Sequence, residues 1–127
     1  MITDDATRKY LYNAPEFVRD LLCTFAPRAW LRHFDFSTLI KVSGNFVSDN
    51  MRQRYGDTVW RVRFKDSWFY VHLLFEFQSQ AYHFMSVRIM VYQGLLYQDL
   101  IAQDQLPDPH HLPPVLPIVI YSGEAPW

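Results

Sequence analysis

The sequence predicts an α/β or α+β domain built on a mixed sheet of about four strands flanked by helices. Three observations carry this. Tyr70 to Ser79 is a run of β-branched, aromatic and leucine residues without Gly or Pro, nearly all apolar up to Leu74. That suits a strand covered on both faces in the middle of a sheet. A second run, Thr58 to Phe64, precedes it across the turn-like Lys65-Asp66-Ser67-Trp68, which reads as a hairpin. Stretches of helical spacing lie on either side, and a last apolar run, Val115 to Tyr121, follows the second of them.

The 127 residues suffice for one domain, 1–127, with a substantial core. Half are hydrophobic and 17% aromatic, which excludes a disordered chain. The single Cys23 excludes an internal disulfide and suits a reducing compartment. There is no apolar run long enough to span a membrane and no basic-then-apolar signal pattern, so the expectation is a cytoplasmic protein without a membrane partner. Net charge is −1, but its distribution is uneven. Residues 51 to 65 carry Arg52, Arg54, Arg61, Arg63 and Lys65 against Asp57, a local +4, and the rest of the chain sums to −5. Such a patch suits a phosphate-bearing partner, or else is a solvated hairpin face.

From the N-terminus, Thr3 caps a short helix with Asp4 and Asp5 at the positive end of its dipole, and Lys9 lies four residues after Asp5. Asn13 caps a second helix, or follows a kink, with Pro15 in the first turn. Phe17, Leu21, Leu22 and Phe25 form its core stripe. Pro27 ends it, and Ala29 to Phe34 adds a short turn. Leu39 to Val42 reads as a short strand stopped by Ser43-Gly44, and Ser48 caps a brief helix from Asp49 to Arg54 that Gly56 breaks. After the hairpin, a long helix runs from about Tyr82 to Gln103. Its Met85, Ile89, Tyr92 and Leu96 make one apolar line and Phe84, Val87, Val91 and Leu95 another, so it should be largely buried. Leu106 to Pro109 is a linker; adjacent His110 and His111 point apart and lack metal-pair spacing. Val115 to Tyr121 is the last strand, with Pro117 at its start or at a bulge. The chain stops at Trp127, soon after this strand, as an excised or truncated core would.

The candidate chemistry lies at the end of the long strand. Glu76 and Gln78 are two residues apart and leave the same face. If Asp66-Ser67 is the hairpin loop, paired residue numbers sum to 133 and Asp57 faces Glu76. Opposed carboxylates are unfavourable unless a proton or cation lies between them, and a divalent metal is the functional reading. A longer loop would shift the register and leave Asp57 a solvated strand-start residue. Arg88, on the apolar helix, needs an anion such as Glu76, Asp57 or a substrate phosphate, or else snorkels at the helix edge.

Gly56-Asp57-Thr58-Val59-Trp60-Arg61-Val62, Phe75-Glu76-Phe77-Gln78-Ser79, Met85-Ser86-Val87-Arg88 with Tyr92, and Leu116-Pro117-Ile118-Val119-Ile120-Tyr121-Ser122-Gly123 with Trp127 resemble the recombination-promoting nuclease (Rpn) family of YhgA-like transposases, in the PD-(D/E)XK nuclease superfamily. The resemblance covers nearly the whole chain, in order. The family's N-terminal region usually begins His-Asp with a Phe-Lys soon after; here Asp4-Asp5 and Arg8-Lys9 stand there, without the His and Phe.

The resemblance implies a restriction-endonuclease-like α/β core and a Mg²⁺-dependent DNA endonuclease. Asp57 matches the motif Asp, Glu76 its (D/E), and Gln78 takes the place of the usual Lys. Asp57 and Glu76 would hold the metal, and neutral Gln78 could orient water but not supply charge. Arg88, Tyr92 or Lys9 would support the site, and Arg52, Arg54, Arg61 and Arg63 would contact DNA. A homodimer is one arrangement such a core could take. The alternative is a catalytically weak relative that binds DNA or a protein through the basic hairpin.

Overall fold

A computed structural model describes residues 14–43, 46–76, 84–106 and 108–121, with backbone alone at 46, 47, 54 and 55. The proposed N-terminal cap at Thr3, the Asp4-Asp5 turn, Lys9, Asn13, Gln78 and the segment from Ser122 to Trp127 lie outside the described residues, as does the side chain of Arg54.

The elements run α1 (Pro15–Phe25), α2 (Arg28–Leu31), β1 (Phe34–Lys41), α3 (Phe46–Tyr55), β2 (Thr58–Phe64), β3 (Ser67–Glu76), α4 (Met85–Ala102) and β4 (Val115–Tyr121). The sheet has the order β1-β2-β3-β4. β1, β2 and β3 pair antiparallel, and β4 returns parallel to β3 after the α4 crossover. This is the mixed four-stranded sheet flanked by helices expected of a restriction-endonuclease-like core. None of the described helices is long and apolar enough to cross a membrane.

β3 is central and buried from Phe69 to Glu76, so its two faces define two cores. Val71, Leu73 and Phe75 face Val18 and Leu22 of α1, together with Trp60 and Val62 of β2. Tyr70 faces Met51 of α3 and Tyr92, Leu96 and Leu100 of α4, beside Val59. Near the hairpin end, Phe34 sits edge-on to Phe64 and Phe69 at 5.0 Å each, and Trp30 of α2 closes the cluster 6.0 Å from Phe69. Pro117 falls inside β4, which among the described strands lies at the edge of the sheet, where proline is tolerated.

Several expectations are corrected. The hairpin loop is Lys65-Asp66, with Phe64 paired to Ser67, so the register sums to 131 and not 133. Lys65 takes φ 55°, a left-handed conformation that tight hairpin loops demand and that lysine does not advertise. Asp57 therefore stands level with Leu74, one same-face step short of Glu76. Because side chains alternate with period two, a shift of two keeps both carboxylates on one face.

β1 is longer than expected, beginning at Phe34, and α3 includes Ser48 instead of starting after it. Ala14, not Asn13, stands at the α1 N-cap, with Pro15 in the first turn. Phe25 of the expected α1 core stripe is exposed. The second apolar line of α4 is exposed at Phe84, Val87, Val91 and Leu95; one face of the helix covers the sheet and the other faces outward.

Candidate active site

Asp57 is placed by the end of α3. Gly56 donates its N–H to Arg52 O at 3.0 Å and takes φ 76°, the left-handed turn that closes a helix and that glycine adopts without a Cβ penalty. The next residue, Asp57, enters the start of β2 with its side chain fully buried. A carboxylate there requires compensation, and three groups supply it. Arg88 Nη2 donates to Oδ2 at 2.6 Å. His72 Nε2 lies 3.4 Å from the same oxygen, donating when that nitrogen carries the proton. The Phe75 backbone N–H donates to Oδ1 at 3.4 Å.

α4 brings Arg88 to this point because its sheet-facing line runs along β3. Tyr92, one turn on, sits edge-on to His72 with ring centroids 6.4 Å apart, and Leu96 and Leu100 continue to Tyr70. The short Arg88–Asp57 ion pair joins two side chains that are 7% and 0% exposed. Arg88 thus meets Asp57 and does not snorkel. Glu76, also buried, ends β3 on the same face, paired in register with Tyr121 of β4.

His72 escaped the sequence reading. Its signal was available: the alternation that puts Gln78 on the face of Glu76 also puts His72 there. It was hidden because a lone histidine inside an apolar run reads as filler.

The basic residues divide into two groups. Arg52 lines a cleft of about 180 Å³ with Lys41, Ser48, Asp49 and Asp57 itself. Arg61 and Arg63 lie toward the far end of β2, their guanidinium carbons 4.3 and 5.0 Å from the centre of the Trp68 ring. Arg61 also hydrogen-bonds Tyr70, whose phenol burial nonetheless pushes above its ordinary pKa. Arg61 is therefore partly a packing residue. In an exposed loop the His110 backbone N–H donates to Asp108 Oδ1 at 2.8 Å and His111 Nδ1 pairs with Asp108 Oδ2 at 2.7 Å, and these two bonds hold the Asp108 carboxyl below its usual range.

Asp57 and Glu76 are the hard oxygen donors that Mg²⁺ selects, and Mg²⁺ is commonly held by one or two carboxylates with substrate phosphates and water completing its shell. A carboxylate offers about four lone-pair sites, and the three donors on Asp57 leave room for one more ligand bond. The residues present fit such an ion. Among the described residues no group of three or more His, Cys, Asp or Glu is gathered as a closed metal cage.

Residues 3–127 match the family model described as "Putative transposase, YhgA-like". The chain is 29% identical over 124 residues to recombination-promoting nuclease RpnA of Escherichia coli K12, covering 97% of this chain and 41% of RpnA. It is 28% identical over 126 residues to RpnD of Escherichia coli O157:H7, covering 97% and 47%. It is 31% identical over 121 residues to a K12 protein named inactive recombination-promoting nuclease-like protein RpnE, covering 95% and 39%. The chain thus spans less than half the length of these relatives. No solved structure matches it significantly. With the match running from residue 3 to residue 127, the chain belongs to the YhgA-like transposase family, among relatives named recombination-promoting nucleases.

Proposed function

We propose that the chain is the catalytic core of a Mg²⁺-dependent DNA endonuclease that hydrolyses phosphodiester bonds during recombination. The observation that carries this reading is the buried ion pair between Asp57 and Arg88 of the crossover helix, with a second buried carboxylate, Glu76, one same-face step further along the register of β3. The relatives named recombination-promoting nucleases support the substrate and the process.

In this reading Asp57 and Glu76 would hold the ion, and a bound Mg²⁺ would supply Lewis acidity toward water and charge to offset the phosphate. Gln78, two residues after Glu76 in sequence, orients the attacking water by hydrogen bond. Arg88 fixes Asp57 and adds the positive charge that Gln78 lacks. Tyr92 packs against His72 and so keeps the imidazole at Asp57. Lys9 is a second candidate source of charge. Arg52, at the cleft beside Asp57, together with Arg54, Arg61 and Arg63, contacts DNA phosphates. The single cysteine suits a reducing cytoplasm.

A second reading has its own support. The donors already gathered on Asp57 satisfy a buried charge without any metal, and one relative is named inactive. In that reading the fold binds DNA or protein and cleaves weakly or not at all. Conversion of supercoiled plasmid to open circles with Mg²⁺, abolished by EDTA and by Asp57→Asn, supports the nuclease. DNA binding without Mg²⁺-dependent nicking supports the binding module.

A further inference from the structure

We infer that the outward face of α4 is a self-association surface, through which two copies of this chain pair helix against helix. The inference rests on the helix surface alone and is independent of the nuclease reading.

α4 is apolar on two opposite sides. Its inner line, Met85, Tyr92, Leu96 and Leu100, is buried against the sheet. On the outer side Val87 is 47% exposed, Met90 66%, Val91 51%, Leu95 38% and Ile101 56%. Val87, Met90, Val91 and Leu95 recur at spacings of three and four, and the stripe resumes at Ile101 beyond the exposed but uncharged Gln98. A stripe of this kind on a water-facing helix marks an interaction surface, unlike apolar residues scattered singly.

Two features select a second copy as the occupant. The first is charge. No ionisable side chain stands on the stripe: Arg88 turns inward to Asp57, and Asp99 is half-buried on the flank. An isologous contact brings each residue against its own surroundings, so a charge-free stripe is the kind that does not repel itself. The second is spacing. Gly94 lies on the stripe with Val87 seven residues before it and Ile101 seven after, about two turns each way. Antiparallel helices crossing at Gly94 would set Val87 of each copy against Ile101 of the other. A Cβ built at Gly94 meets nothing within 4 Å, so the space above it is open to a partner backbone. Small residues at a crossing let helices approach closely. Half-exposed aliphatic side chains on this scale bury on the order of 500 Å² per copy, about 1,000 Å² in total, where specific interfaces begin.

Sedimentation velocity of the 127-residue chain from about 1 to 100 μM tests this, with Gly94→Glu as the decisive variant. Glutamate is a better helix former than glycine and enters open space, so the folded monomer keeps its melting temperature while the crossing is blocked by bulk and charge. The parent should move with concentration toward twice the chain mass of 15.2 kDa, and Gly94→Glu should stay at the chain mass. Val91→Glu, at a half-exposed site, should do the same. A parent that remains at its chain mass throughout, or a Gly94→Glu that still dimerises, overturns the inference and leaves the stripe to a different occupant, such as further sequence in a longer protein.

Discussion

Asp57 is the residue on which the site turns. Its carboxylate is fully buried and its charge is met by Arg88 at 2.6 Å. Removing one partner of a buried pair strands the other, which typically costs about 3–5 kcal/mol. Arg88→Met should therefore destabilise the fold by about that amount in urea unfolding. A loss below about 1 kcal/mol would show that Asp57 is satisfied by other groups. Gln78 supplies the second test at this scale. As a neutral group it can orient water but cannot offset charge. Gln78→Ala should slow plasmid nicking strongly while leaving Mg²⁺ affinity by calorimetry nearly intact, and Gln78→Lys should remain active. Equal nicking by Gln78→Ala and the parent would remove Gln78 from the mechanism.

The elements show what a sequence pattern encodes and what it does not. Val115 to Tyr121 and Thr58 to Phe64 were legible to the residue, because β-branched and aromatic runs bounded by turn residues have few alternatives. The hairpin register was not, since it depends on a positive φ at Lys65 that no side-chain preference announces. The shared face of Asp57 and Glu76 survived this error only because the slip was even. The outer face of α4 was misread for a different reason. Periodicity locates apolar residues but does not say how many layers cover them. Arg88 was legible as a buried cation, whereas its choice of Asp57 depends on the helix running along β3. Lys65 also yields a prediction. A left-handed non-glycine residue costs about 1–2 kcal/mol and glycine about 0.5–1 in lost chain entropy, so Lys65→Gly should stabilise the hairpin slightly, by about 0.5–1 kcal/mol. A net loss of stability in urea would mean that Lys65 contributes more through its side chain than its backbone costs.

At the scale of the whole molecule, near-neutral net charge conceals a division of labour among the arginines. Arg52 opens onto the cleft beside Asp57, while Arg61 and Arg63 stack on Trp68 at the other end of β2. Each phosphate contact adds about 0.9 to the slope of log affinity against log salt. Arg52→Ala should reduce that slope by about one in a gel-shift series, with the melting temperature unchanged. Arg61→Ala should lower the melting temperature as well, because it strips Trp68 and Tyr70 of a packed partner. Equal behaviour of the two variants would argue against the division.

The central claim is that Asp57 and Glu76 together make a metal-dependent phosphodiesterase, and plasmid nicking against Mg²⁺ concentration for the parent and Glu76→Gln tests it most directly. Glu76→Gln preserves shape and removes a single charge at the end of β3. The account predicts saturable, EDTA-sensitive nicking by the parent and at least about a hundredfold slower nicking by the variant, the scale of losing a group that stabilises the transition state. Nicking that is indifferent to Mg²⁺, or that proceeds equally well in Glu76→Gln, would contradict it.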